Sequence, residues 1–339
     1  MFNASALGNS DATSSTLSCR LPNGKAANAS GIGLLRCLCG FFGPKCDAQI
    51  VETVGELVLL AELANRHAPW HHPRATYLDS VSAAGWLRDR KLSRSAYAFL
   101  YKSLGFIALD ELERVSMLHM VFLIASQGGI AQTIVVGEAF RVKQGTQVAA
   151  QELATKIGAP RIHLTTPVDH LTYSNDSVRV SAGGRAFSAR RAILTGSPVG
   201  LGKLAFEPPL PTDKARLLQG MYMANTARYN LVFADGPVWT RENLTGIIVD
   251  GDMEDPVPYV FDATPPSGRP GVLQFWLFGD KVHTVEAMTD AQRASYLSKY
   301  LEQFIGPTAA RYTSSVYHDF TRDAYIGGGF SAGDLPPLA

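Results

Sequence analysis

Apolar positions change their spacing along the chain. IVETVGELVLLAELA (50–64) has the spacing of an amphipathic helix, with Pro69 shortly beyond it. Residues 78–104 read as further short helices. ELERVSMLHMVFLIA (111–125) is apolar on most faces, which predicts a helix packed on both sides and ended by Gly128–Gly129. The pattern then becomes β-like: RIHLT (161–165), HLTY (170–173), SVRVS (177–181) and RAILT (191–195) are short runs. SAGGRA supplies a hairpin turn between the last two. GIIVD, PYVFD and VLQFWLF alternate or run apolar, as strands of a larger sheet do. DAQRASYLSKYLEQFI (290–305) sets Leu297, Tyr300, Leu301, Phe304 and Ile305 on one helical face. Thr289 and Gln292 fit a capping box in front of it, and Gly306–Pro307 close it. The prediction is an α+β fold: a helical layer, then a mixed sheet, with a late helix against it.

Residues 1–30 are mostly Ala, Ser, Asn, Gly and Thr, with little to bury, and are expected to be poorly ordered. The chain therefore divides into a low-complexity, cysteine-containing segment (1–49) and a folded domain (50–339). All four cysteines (Cys19, Cys37, Cys39 and Cys46) lie in the first part, and sequence cannot choose among their possible pairings. CLCGFFGPKC resembles the last turn of an EGF-like module but is shorter. Disulfides, free thiols and a metal site stay open there, in that order, because C-x-C is tighter than a zinc knuckle and no histidine falls nearby. Sequons at Asn3, Asn28, Asn175 and Asn243 lean with the cysteines towards a secretory or extracellular setting. The first residues nevertheless have neither the charged nor the apolar region of a signal peptide.

Composition narrows the function classes. The 339 residues are 46% hydrophobic and 18% charged, enough for a sizeable core. A net charge of +1 argues against nucleic acid as a main partner. No apolar run is long enough for a membrane span. The nearest approach to a dinucleotide fingerprint, Gly31-Ile32-Gly33, has Arg36 where the third glycine belongs and no strand before it. His67, His71 and His72 in HAPWHH suit loop packing better than metal binding, since no carboxylate stands at helical ligand spacing. No G-x-S-x-G elbow is present, and Gly196-Ser197-Pro198 reads as a bend. Gly327-Gly328-Gly329 would let backbone approach a planar or anionic ligand, or simply form a flexible loop. The residues by themselves leave the reaction open.

Taken in order, the segments from about Val51 to 330 resemble the flavin-dependent amine oxidase family, monoamine oxidases in particular. The passages are RVKQGTQVAAQELATKIG followed by RIHLTTPVDHLTY, then RAILTGSPVGLGKLAFEPPLP, MANTARYNLVFADGPVW and HDFTRDAYIGGGF. The resemblance implies oxidative deamination of a small-molecule amine. Its α-carbon gives a hydride equivalent to FAD, dioxygen reoxidises the flavin to peroxide, and the imine hydrolyses. It implies that Val168 meets the adenine and that Phe320, Gly328 and Gly329 lie beside the flavin ring. Gly329 stands where monoamine oxidases carry the flavin-linking cysteine, so FAD would be held noncovalently. Phe330 matches an aromatic of the amine cage, and Tyr259 a substrate-cavity tyrosine. The family lysine near the reacting edge falls on Arg228 or on Tyr229, depending on the alignment. Gln144 replaces the first glycine of the family's pair. The family's N-terminal G-x-G-x-x-G unit and its closing C-terminal glycine-rich turn have no match, so the resemblance is to a truncated chain with the dinucleotide-binding part incomplete or absent. A non-catalytic, degenerate relative that keeps only the shell of the substrate domain is the alternative.

Overall fold

The computed structural model describes residues 4–6, 16–20, 26–30, 44–129, 140–250, 257, 259–329 and 332–334. Three short strands occur in the N-terminal segment: β1 (Ala4–Ala6), β2 (Thr16–Arg20) and β3 (Ala26–Ser30). This corrects the expectation of little order there. Backbone pairing needs no apolar side chain, so composition is a poor guide to a strand added at a sheet edge.

A helical layer follows, formed by α1 (Pro44–Glu62), α2 (Ala75–Ser80), α3 (Ala83–Arg88), α4 (Arg94–Ala108) and α5 (Met117–Ser126). The first helix crosses the boundary drawn at residue 49. Serines start the later helices: Ser82, Ser93 and Ser116 each accept a hydrogen bond from an amide of the first turn. Ser116 takes both the Leu118 and His119 amides, which is why the helix expected from 111 begins only at Met117. Leu57, Trp86, Leu104 and Met120 are among the buried residues of this layer.

Strand β4 (Phe140–Val142) pairs with β1, and α6 (Gln147–Ile157) leads into a four-stranded sheet ordered β7-β6-β5-β8. Its strands are β5 (Val168–Tyr173), β6 (Val178–Ala182), β7 (Arg185–Ala189) and β8 (Ala205–Glu207). Two of the expected strands move. RIHLT is a 3-10 turn and loop, and RAILT lies beyond β7 as an exposed extended run, with Ile193 89% exposed. Gly183 and Gly184 both have positive φ, the conformation of a two-residue hairpin turn. Such a turn fixes the third strand immediately after Gly184, so hydrophobicity further on cannot claim it.

After α7 (Pro198–Leu201), α8 (Thr212–Gly220) and β9 (Met221–Met223) comes the main sheet, ordered β14-β10-β13-β12-β11-β2-β3. Its later strands are β10 (Thr226–Phe233), β11 (Leu244–Asp250), β12 (Tyr259–Asp262), β13 (Gly271–Phe278) and β14 (Ser314–Asp319). Between the last two lie α9 (Val282–Glu286) and α10 (Asp290–Ile305). One face of this sheet packs Tyr229, Leu231, Phe233 and Phe275 against Leu297, Leu301 and Phe304 of α10. Thr289 and Gln292 form the expected capping box at its start. The opposite face meets the helical layer, where Tyr259 and Trp276 join the first core. Strand β15 (Ala332–Asp334) returns antiparallel to β9.

Candidate active site

Strand alternation sorts the candidate residues onto two faces. On β10, Ala227, Tyr229, Leu231 and Phe233 enter the core under α10, which places Thr226, Arg228 and Asn230 on the other face. Register then aligns Arg228 with Trp276 of β13 and with His318 of β14, and Asn230 with Gln274. Tyr259 of β12 lies opposite Trp276. One wall of the sheet thus carries Thr226, Arg228, Gln274, Trp276 and Tyr259. Burial separates Arg228 from its neighbour: Tyr229 is fully enclosed beside Phe275 and Tyr317. Arg228 is the cation on the open wall.

Polar and aromatic contacts hold Arg228 flat. Its guanidinium carbon lies 3.0 Å from the centre of the Trp276 ring. Its Nη1 donates to Gln274 Oε1 at 2.7 Å, and Trp276 Nε1 donates to the same oxygen at 2.9 Å. Gln274 Nε2 in turn donates to Asn230 Oδ1 at 3.1 Å. Phe106 of α4 closes the wall from the helical layer, with ring centroids 4.7 Å from Tyr259, 5.7 Å from Phe261 and 5.3 Å from Trp276. Tyr259 is consequently buried rather than open to a ligand, and that burial pushes its hydroxyl above the ordinary tyrosine range.

The chain leaving β14 runs along this wall. Phe320 stacks edge-on to His318 at 4.1 Å. Asp323 Oδ1 accepts from the Tyr325 and Ile326 amides, and its carbonyl accepts from Gly327 at 2.8 Å. Gly329 donates its amide to the Ala224 carbonyl at 3.0 Å and accepts from the Thr226 hydroxyl at 2.9 Å. Gly328 has φ +146°, and a Cβ there would come within 2.6 Å of Met223 Cβ. The three glycines are therefore not a loose loop. Met223 at the end of β9 and the carbonyl of Ala224 after it leave no room for a side chain at Gly328. On the far side, Ser197 Oγ donates to the Ile326 carbonyl at 2.8 Å and Lys203 Nζ to the Ala324 carbonyl at 3.0 Å. Ser197 is more than a bend, since it also caps α7 by accepting from Gly200.

The structure thus gathers Arg228, Tyr259, Phe320, Gly328 and Gly329 along one wall and its edge. Val168 belongs to the four-stranded sheet, where it pairs with Ala182, half exposed. Its sheet connects to the strip through Ser197 and Lys203, which lie between β7 and β8. Phe330 lies outside the described residues, as do Gly31-Ile32-Gly33, Cys37 and Cys39. Gln144 is exposed in the turn after β4. His72 is buried, with Nε2 3.2 Å from the Leu60 carbonyl and Nδ1 accepting from the Arg74 amide. It packs a loop. Sequence reasoning missed Phe106, Thr226, Gln274 and Trp276. The signal for Gln274 and Trp276 was their i, i+2 spacing, but VLQFWLF is covered on both faces and so shows no clean alternation.

A profile described as flavin containing amine oxidoreductase matches residues 53–337, most of the chain. The chain belongs to the flavin-containing amine oxidase family. Its similarity to an L-amino acid dehydrogenase of Synechocystis is 25% identity over 283 residues, covering 82% of this chain and 58% of that protein. Against human amine oxidase [flavin-containing] B it is 22% over 248 residues, covering 72% and 47%. A solved putrescine oxidase variant with redesigned cofactor binding superposes with a TM-score of 0.88 at 19% identity, over 99% of this chain and 72% of that one. That likeness shows a shared fold. The chain spans about half the length of the curated relatives it matches.

The family's cofactor can be tested against these residues. At the ring end they fit: Gly329 carries no side chain, a Cβ there would lie 4.0 Å from Phe320 Cδ2, and the wall beside it holds Trp276 and a fixed cation. At the phosphate end, strand β3 stands directly before Gly31-Ile32-Gly33, where the sequence reading expected no strand, and the segment from there to α1 lies outside the described residues.

Proposed function

We propose that this chain forms the substrate-facing part of an FAD-dependent amine oxidase. The observation that carries the reading is the single wall on which Arg228, Trp276 and the Phe320–Gly329 strip meet. FAD, when bound, takes a hydride equivalent from the amine α-carbon, and dioxygen takes the electrons on to peroxide. Phe320 and Gly329 would flank its ring, noncovalently because glycine offers no sulfur. Val168 would lie towards the adenine and Phe330 would supply an aromatic of the amine cage, both from the family resemblance. The work left to this chain is physical. Phe106, Phe261 and Trp276 exclude water, so a neutral amine is favoured over its ammonium form. Arg228 keeps a fixed positive charge at the wall, where it stabilises negative charge developing during reoxidation. Tyr259 shapes the wall from beneath. The test is peroxide release across a panel of aryl and alkyl amines with flavin bound. A flat response overturns the reading.

The second reading is a non-catalytic binding or structural relative that keeps the shell of the substrate domain. Saturable flavin binding without peroxide from any amine would select it. We also infer a secretory or extracellular setting. Asn175 and Asn243 are exposed, which supports glycan attachment there. Recovery of the expressed protein only inside cells, with a mobility that peptide N-glycosidase leaves unchanged, would exclude it. No helix among the described residues is long and apolar enough to cross a membrane.

A further inference from the structure

Both ends of the Phe320–Gly329 strip are tied to one carboxylate. Glu286 is the last residue of α9, and its side chain is only 11% exposed. Its Oε1 accepts from Arg322 Nε at 2.5 Å, and Arg322 Nη2 reaches the Glu286 carbonyl at 3.2 Å. Its Oε2 meets His283 Nδ1 at 2.7 Å. The other ring nitrogen of His283 lies 3.2 Å from Asn225 Nδ2. Asn225 stands between Ala224 and Thr226, the two residues that hold Gly329. The contacts close a ring: Glu286 to Arg322, along the strip to Gly329, across to Asn225, and back through His283. Arg293 donates to the Val285, Glu286 and Met288 carbonyls and fixes the backbone beneath the carboxylate.

We propose that Glu286 is the positioning residue that sets the aromatic–glycine strip against β10, acting through Arg322 at one end and through His283 and Asn225 at the other. It touches neither substrate nor cofactor. Arg322 and His283 are themselves more than half exposed, so charge attraction alone contributes little to such a task. Here both carboxylate oxygens are engaged from different directions, so moving either end of the strip breaks a short contact. The functional importance of the strip rests on the amine oxidase reading, but its position does not.

Amide hydrogen exchange on the flavin-free full chain tests the proposal. Exchange at Gly327 and Gly329 is compared with exchange at Leu301 in α10, which reports global opening. Glu286→Gln should speed the two glycine amides about tenfold and leave Leu301 unchanged. Glu286→Asp, which keeps the charge, should restore part of the protection. Glu286→Gln combined with Arg322→Ala should be no faster than the faster single variant, because both remove one contact. Unchanged glycine exchange, a parallel rise at Leu301, or additive effects would each overturn it. If no amine yields peroxide with flavin bound, the amine oxidase reading fails while this measurement still decides the role of Glu286.

Discussion

At the scale of single residues, the same side chain can be forbidden or welcome according to its surroundings. Gly328 combines positive φ with Met223 and the Ala224 carbonyl packed against the missing Cβ, so Gly328→Ala should cost about 1–3 kcal/mol. Gly55 lies within α1 with nothing near its missing Cβ. Gly55→Ala should therefore stabilise by about 0.5–1 kcal/mol. Urea unfolding of both variants checks the pair, and equal effects would contradict the packing described. Arg228 owes its role to position, since its neighbour Tyr229 faces the opposite core. Arg228→Met keeps bulk but removes charge and the Gln274 contact, and should lower flavin reoxidation by about tenfold or more. Stopped-flow mixing of reduced enzyme with dioxygen measures it. Arg228 was visible in the sequence as a candidate. Its stacking on Trp276 was not, because the two residues are joined only by strand register.

Among the elements, those defined by local signals match their sequence reading best. The helix α10 has its periodicity, capping box and terminal glycine in consecutive residues, and all three appear in the structure. Thr289→Ala should cost about 1 kcal/mol, read as a lowered thermal midpoint with the fold unchanged. RAILT failed as a strand because a neighbouring turn overruled its hydrophobicity. The short helix α9 matters through the charge at its end. Partial burial raises the Glu286 pKa, but hydrogen bonds with Asp319, His283 and Arg322 outweigh this and hold the carboxyl down at about 2. Tyr317 and Arg293 also face this cluster, through Asp319 and the Tyr317 ring. The sign follows from linkage: a depressed carboxyl stabilises the fold above its unfolded pKa of 4.5, and this is lost as pH falls towards about 2. Acid titrations of stability should therefore be flatter for Glu286→Gln than for the parent across that range. Superimposable curves would show that the carboxylate carries no such linkage.

For the whole molecule, two cores on opposite faces of one sheet place a wall between a helical layer and a single long helix. The sequence determined the helices over 50–64 and 290–305, the capping box, the α+β order and, through resemblance, the family. These signals lie in contiguous residues and survive without knowing which strands meet. Tertiary structure alone decided that Arg228 rather than Tyr229 faces the wall, that Tyr259 is covered by Phe106, and that Glu286 meets Arg322 and His283. Those facts depend on which face a strand presents and on contacts between residues far apart in the chain, and a one-residue shift in register would reverse them.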